Sequence, residues 1–176
     1  TGRDNSPLVV TRNGINLCIW GCSLVVDKHY DGSYFRSSYN TLPDDMNLPV
    51  KNQDDIWIIS IHWGEEYYTR QNDAQLQLAG KLANAGFDYI IGHHPPVIQP
   101  VKTIGNTTVL YSHGNFIFDQ NFSSLTQKGL VSLLSVKERS IELFFSRQNK
   151  FRITELTPTD RDGVEEFCKK NFNPRN

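Results

Sequence analysis

Two stretches decide the fold: Ile56-Trp57-Ile58-Ile59-Ser60-Ile61-His62-Trp63-Gly64 and Phe87-Asp88-Tyr89-Ile90-Ile91-Gly92-His93-His94-Pro95. Each begins as a near-continuous apolar, β-branched or aromatic run and ends in histidine and a loop-forming residue. Runs of this kind predict strands covered on both faces, as in parallel sheets. Between them, Asn72 to Gly86 reads as a helix. Asn72 or Asp73 caps its start, Gly86 supplies the left-handed stop, and positions 76, 79, 82, 83 and 86 form the predicted apolar stripe. Strand, helix and strand make a βαβ crossover, which requires a parallel pair.

Working outward, Leu8-Val9-Val10-Thr11 and Ile15 to Trp20 flank Arg12-Asn13-Gly14, a hairpin whose Asn-Gly supplies the positive φ of a tight turn. Residues 27–55 are polar, without helical or strand period, and predict a long loop that can hold a short helix near a substrate. Thr107 to Leu110 is a further strand, ending in Tyr111-Ser112-His113-Gly114-Asn115-Phe116. Gly129 to Val136 and Ser140 to Ser146 predict a hairpin around Lys137-Glu138-Arg139. Phe151 to Leu156 is a last strand, and Val164 to Phe172 a terminal helix. The class is α/β with mixed strands, residues 1–157 forming the main unit and 158–176 a terminal helix and tail.

Open α/β sheets bind ligands outside the carboxyl ends of their strands. His62, His93, His94 and His113 all fall at such exits, and neutral imidazole is a common metal ligand, so a metal or anion site is expected there. His113 has no regular ligand spacing and reads first as a structural histidine bonded to a backbone carbonyl. His29 lies in Asp27-Lys28-His29-Tyr30-Asp31-Gly32 and reads as solvated. Glu65, Glu66, Tyr67 and Tyr68 follow the His62 loop, placed either to line a substrate site or to form a solvated polar loop.

A net charge of −1 and the lack of a Lys/Arg run exclude a broad nucleic-acid surface. No apolar segment approaches the roughly 20 residues that cross a bilayer. Cys18, Cys22 and Cys168 show no zinc-like pairing and read as buried or partly buried thiols, with any disulfide unassigned. Asn106-Thr107-Thr108 and Asn121-Phe122-Ser123 are acceptor sequons of a kind that arises by chance.

From about Leu8 to Gln120, and most specifically across 56–120, the chain resembles the capsule-synthesis A-type family of poly-γ-glutamate biosynthesis, related to calcineurin-like metallophosphoesterases. The resemblance rests on Ser60-Ile61-His62-Trp63-Gly64-Glu65-Glu66-Tyr67, on Ala85 to Pro95, and on Tyr111 to Gln120, in matching order and spacing. It implies part of an αββα sandwich with helices outside and a dinuclear divalent-metal site at strand ends. His62 then matches an isolated histidine ligand, and His94 the first of a late histidine pair, with His93 a weaker candidate. Glu65, Asn115 and His113 become candidate substrate contacts, His113 also a conceivable replacement ligand.

The sequence departs from that pattern at Pro96. His94-Pro95-Pro96-Val97 stands where the family usually reads His-Pro-His-Val, and proline cannot ligate a metal. The family's early aspartate and Asn-Asn-His motifs would precede Thr1, and Thr1-Gly2-Arg3-Asp4-Asn5 resembles the stretch on their C-terminal side. The resemblance thus implies the C-terminal half of the domain, a processed or excised piece completed by its N-terminal half or by another chain. It also implies capsule-synthesis membrane proteins as partners, a cell-envelope or extracellular location, and either metal-dependent phosphoester hydrolysis or a non-catalytic role in polymer binding.

Overall fold

Asn13 (φ +53°) and Gly14 (φ +79°) turn the chain between β1 (Leu8–Arg12) and β2 (Ile15–Ser23), the positive angles that a two-residue hairpin requires. The computed structural model describes residues 5–25 and 37–172. His29, Thr1 to Asp4 and the stretch 27–36 of the expected long loop lie outside the described residues. Residues 37–55 form turns and irregular chain.

β3 (Ile56–His62) and β4 (Tyr89–His93) pair in parallel, as the crossover requires, with α1 (Asp73–Asn84) between them in sequence. β5 (Val101–Ile104) and β6 (Thr107–Leu110) complete a six-stranded mixed sheet of order β1-β2-β3-β4-β6-β5. β7 (Lys128–Ser135), β8 (Ser140–Asn149) and β9 (Arg152–Thr159) form a second, antiparallel sheet, followed by α2 (Arg161–Lys170). The α/β class holds. The second strand of the crossover starts two residues later than predicted, because Phe87 N–H still closes the helix end on Leu82 O (3.2 Å).

β5 is not predicted by the sequence. It is four residues long and pairs in the sheet with β6 alone, across the Gly105-Asn106 turn, so it carries too little period to be read alone.

The large sheet is covered on both faces, because alternate residues of β3 point to opposite sides. Trp57, Ile59 and Ile61 pack with Trp20, Trp63 and Phe87 and with Leu78, Ala79 and Leu82 of α1. Ile56, Ile58 and Tyr89 pack on the other side with Leu134 and Val136 of the small-sheet hairpin. Val164 and Cys168 of α2 join Val101, Leu110, Leu130 and Leu143, filling the layer that both sheets share. Each fully buried Ile or Leu contributes about 1.5–3 kcal/mol over its exposed state.

The phase of α1 corrects the predicted stripe. Gln75, Leu78, Ala79 and Leu82 are buried, whereas Leu76 is 42% exposed. Gln75 fixes this phase: its Oε1 accepts from Asn72 N–H (3.0 Å), while its own N–H donates to Asn72 Oδ1 (2.9 Å). That capping box turns a polar side chain inward, where Gln75 Nε2 finds Gln99 Oε1 at 3.0 Å. Gly86 has φ +100° and ends the helix as expected. All three cysteines are buried and free.

Candidate functional site: a histidine cluster at the strand exits

Parallel pairing brings the ends of β3 and β4 side by side, with His62 opposite His93 in register. The crowding behind them explains the glycine between strand and histidines. A Cβ on Gly92 would lie 2.1 Å from Tyr111 O and 2.5 Å from Trp63 Nε1, which itself donates to Tyr111 O (2.9 Å). The backbones therefore approach closely at the point where the histidines emerge.

His94 follows with φ +100°, an angle that a side chain with Cβ rarely tolerates and that marks local strain. The turn brings His94 Nδ1 to 3.0 Å from His62 Nε2, with ring centroids 4.7 Å apart. His93, its neighbour in sequence, points elsewhere and stacks on His113 at 5.6 Å and 21°. His113 is held by Ser132 Oγ at Nε2 (2.9 Å) and lies 3.4 Å from Gly92 O at Nδ1.

These rings are kept neutral. Burial first, then the neighbouring His94 and His93, pushes His62 down to about 4. Burial and then His93 push His113 down to about 4, against the opposing Gly92 carbonyl. Burial lowers His93, and lowers His94 against the opposing charge of Glu66. A neutral imidazole keeps a lone pair available for a cation.

The His62–His94 pair fits part of a metal's needs. Two imidazole nitrogens on one tetrahedral zinc-like ion, each about 2.1 Å from it, stand about 3.4 Å apart. Among the described residues no group of three or more His, Cys, Asp or Glu side chains is arranged to hold a metal. His93 and His113 do not make up the number, since one stacks on the other and His113 spends Nε2 on Ser132. Pro96 is buried, and its carbonyl accepts from Asn115 N–H (3.2 Å).

The other sequence-selected residues surround this centre at varied distance. Glu65 Oε1 accepts from Asn72 Nδ2 (3.2 Å), tying it to the helix cap. Glu66 is exposed and near enough for its charge to act on His94. Asn115 Nδ2 donates to Gln120 Oε1 (3.1 Å) and Thr126 O (3.2 Å), bracing its own loop. Two contributors carry no signal in the sequence. Tyr39 OH accepts from Gly64 N–H (2.8 Å), fixing the His62 loop from the irregular 37–55 stretch. Ser132 sits in a strand with no local sign of a partner in a distant segment; only the fold pairs it with His113.

Comparison with known proteins identifies the family of the chain. The family model of the bacterial capsule synthesis protein PGA_cap matches residues 1–120. The chain is 34% identical over 125 residues to the PGA biosynthesis protein CapA of Bacillus subtilis (strain 168), covering 68% of this chain and 32% of that relative. It is 39% identical over 83 residues to the capsule biosynthesis protein CapA of Bacillus anthracis, covering 47% and 20% respectively. A probable polyglutamine synthesis accessory protein of Mycobacterium tuberculosis is 29% identical over 72 residues, 41% of this chain and 19% of the relative. The matched stretches thus span a third or less of these relatives. The chain belongs to the bacterial capsule synthesis protein family PGA_cap.

Proposed function

We propose that the protein acts in capsule or poly-γ-glutamate biosynthesis at the cell envelope, and that His62 and His94 form the histidine side of a divalent-metal site for phosphoester hydrolysis. The observation that carries this reading is the 3.0 Å approach of two imidazole nitrogens at adjacent strand ends. The family and the curated relatives support the biological setting. The missing donors come from beyond this chain, from the N-terminal half of the same domain or from a second chain, with capsule-synthesis membrane proteins as further partners.

When bound, a divalent ion supplies Lewis-acid polarisation of a phosphoryl oxygen. The chain's own residues prepare for it. His62 and His94 are neutral, so a shift of tautomer, with no proton lost, releases both facing nitrogens from their mutual hydrogen bond to take an ion, and Glu66 adds negative charge beside His94. His93 and His113 wall the site with neutral rings, and Glu65, Asn115 and His113 stand as candidate substrate contacts. Metal retention by the complete protein and by His94→Ala, read by native mass spectrometry, tests this. Stoichiometric metal that is lost in His94→Ala is expected; a complete, folded and metal-free domain sinks the reading.

A second reading, a non-catalytic capsule subunit, is favoured by one observation: Pro96 is buried and carries no donor. It predicts no phosphatase activity, and tighter metal binding in Pro96→His. Unchanged metal affinity in that variant removes position 96 from the question.

A further inference from the structure

At the opposite ends of the same strands lies a second concentration of polar chemistry with different ingredients. A cavity of 610 Å³ opens where β4 and β6 begin, beside the β7–β8 turn and the start of α2. That volume lies within the range of small-ligand sites, roughly 300–1,000 Å³. Its floor includes Tyr89 and Thr108, which are 6% and 7% exposed.

Two guanidinium groups line it. Arg161, the first residue of α2, donates to the hydroxyls of Thr103 and Thr108, the latter at 3.1 Å. Both partners are neutral, and none of the ion pairs among the described residues includes Arg161. Arg139, held in the turn between β7 and β8, donates to Gln53 O (3.3 Å) and stands 3.9 Å from Asp88 Oδ1. Asp88 is largely committed already, its Oδ2 taking Lys51 Nζ (2.6 Å) and Trp57 N–H (2.7 Å).

Two acids also line the cavity, Glu142 and Asp160. Asp160 is spent on Gly163 N–H (2.8 Å), capping α2. Both arginines are close enough to oppose the upward shift that burial imposes on the Tyr89 phenol. Guanidinium is permanently charged and binds planar oxyanions through paired N–H donors.

We propose that this cleft binds the carboxylates of a γ-linked glutamyl chain, with Arg139 and Arg161 as the anion contacts and the Thr108 and Tyr89 hydroxyls as neutral donors. The choice of a glutamyl chain rests on the capsule-biosynthesis reading above; the presence of an oxyanion cleft rests on the residues alone. A polymer bearing one carboxylate per residue is thereby held at the strand entrances, about 13 Å along β4 from the histidines at about 3.3 Å per residue.

Binding of a γ-linked glutamate oligomer, followed by calorimetry at low ionic strength, tests this on the protein, on Arg161→Gln, Arg161→Lys and Arg139→Gln, and on His94→Ala. The expected result is about tenfold weaker binding in Arg161→Gln, with partial retention in Arg161→Lys and no change in His94→Ala. Arg139→Gln, on an exposed turn, serves if Arg161→Gln fails to fold, and is expected to weaken binding several-fold. Absence of binding to the unaltered protein, or undiminished binding by both arginine-to-glutamine variants, overturns the cleft. Loss confined to His94→Ala overturns it while leaving the metal reading standing. Inorganic phosphate binding as tightly as the oligomer, and competing with it, overturns the glutamyl assignment.

Discussion

The two ends of β4 are built on opposite electrostatic plans. At the exit, His93 and His94 join His62 and His113 as neutral rings, His62 and His93 open to solvent at their edges and His94 and His113 half-buried, with partial desolvation disfavouring their charged forms. At the entrance, four residues away, Tyr89 faces Arg139 and Arg161, whose charge no environment removes. The exit is crowded and strained, with Gly92 pressed against Tyr111 O and His94 at φ +100°. The entrance is an open cavity fringed by exposed side chains. One sheet thus carries neutral imidazoles at one edge and charged groups of both signs, two arginines among them, at the other.

The largest expected effect comes from attacking the crowded end. Gly92→Ala places a methyl 2.1 Å from Tyr111 O and 2.5 Å from Trp63 Nε1, both buried and neither a flexible tip. Destabilisation of about 3 kcal/mol or more is expected from such overpacking, read as a fall in the urea midpoint. A variant as stable as the parent would mean that the two backbones are not in contact there.

A smaller effect separates support from ligation within the histidine cluster. Ser132→Ala removes the partner of His113 Nε2 and is expected to cost about 1 kcal/mol in chemical denaturation. Metal retention should be unaffected, since His113 is turned to Ser132 and not to the His62–His94 pair. Metal lost together with Ser132 would promote His113 to a ligand.

The smallest effect lies near the arginine end, where α2 is fastened to β5. The hydrogen bond from Lys102 Nζ (2.7 Å), and next the charges of Lys102 and Lys169, hold the Glu165 carboxyl below its ordinary 4.5. A depressed folded value means that this contribution is present above about pH 4.5 and is lost as pH falls through the folded value. Glu165 is partly exposed, so the gain is at most about 1 kcal/mol. Melting curves of Glu165→Gln should differ from the parent at pH 7 and converge with it as the pH falls through the depressed folded value. A constant difference across that range would assign the contribution to packing instead of charge.

Much of the frame is legible along the chain because its signals are local. The apolar runs of β3 and β4, the Asn13-Gly14 turn and the β7–β8 hairpin need only neighbouring residues to be recognised. The phase of α1 is not, since polar Gln75 is buried by a capping bond and a partner, Gln99, from another segment. β5 escapes notice because its pairing with β6 supplies what four residues lack in period. Of the candidate site, the four histidines stand out by type and position, but their division into a His62–His94 pair and a His93–His113 stack does not. The contributions of Tyr39 and Ser132 are invisible for the same reason, each acting through a contact with a distant segment.

Read along the chain alone, the residues already dictate that parallel strands end in histidine, that Pro96 offers no donor, and that the motifs are those of a capsule-synthesis family. It took the folded molecule to decide which nitrogens meet, which rings are kept from charging, and that two arginines from separate elements line one cavity. The division has a physical cause. Strand and turn propensities are set by neighbouring residues, whereas desolvation and hydrogen-bond partnership depend on segments that folding alone brings together.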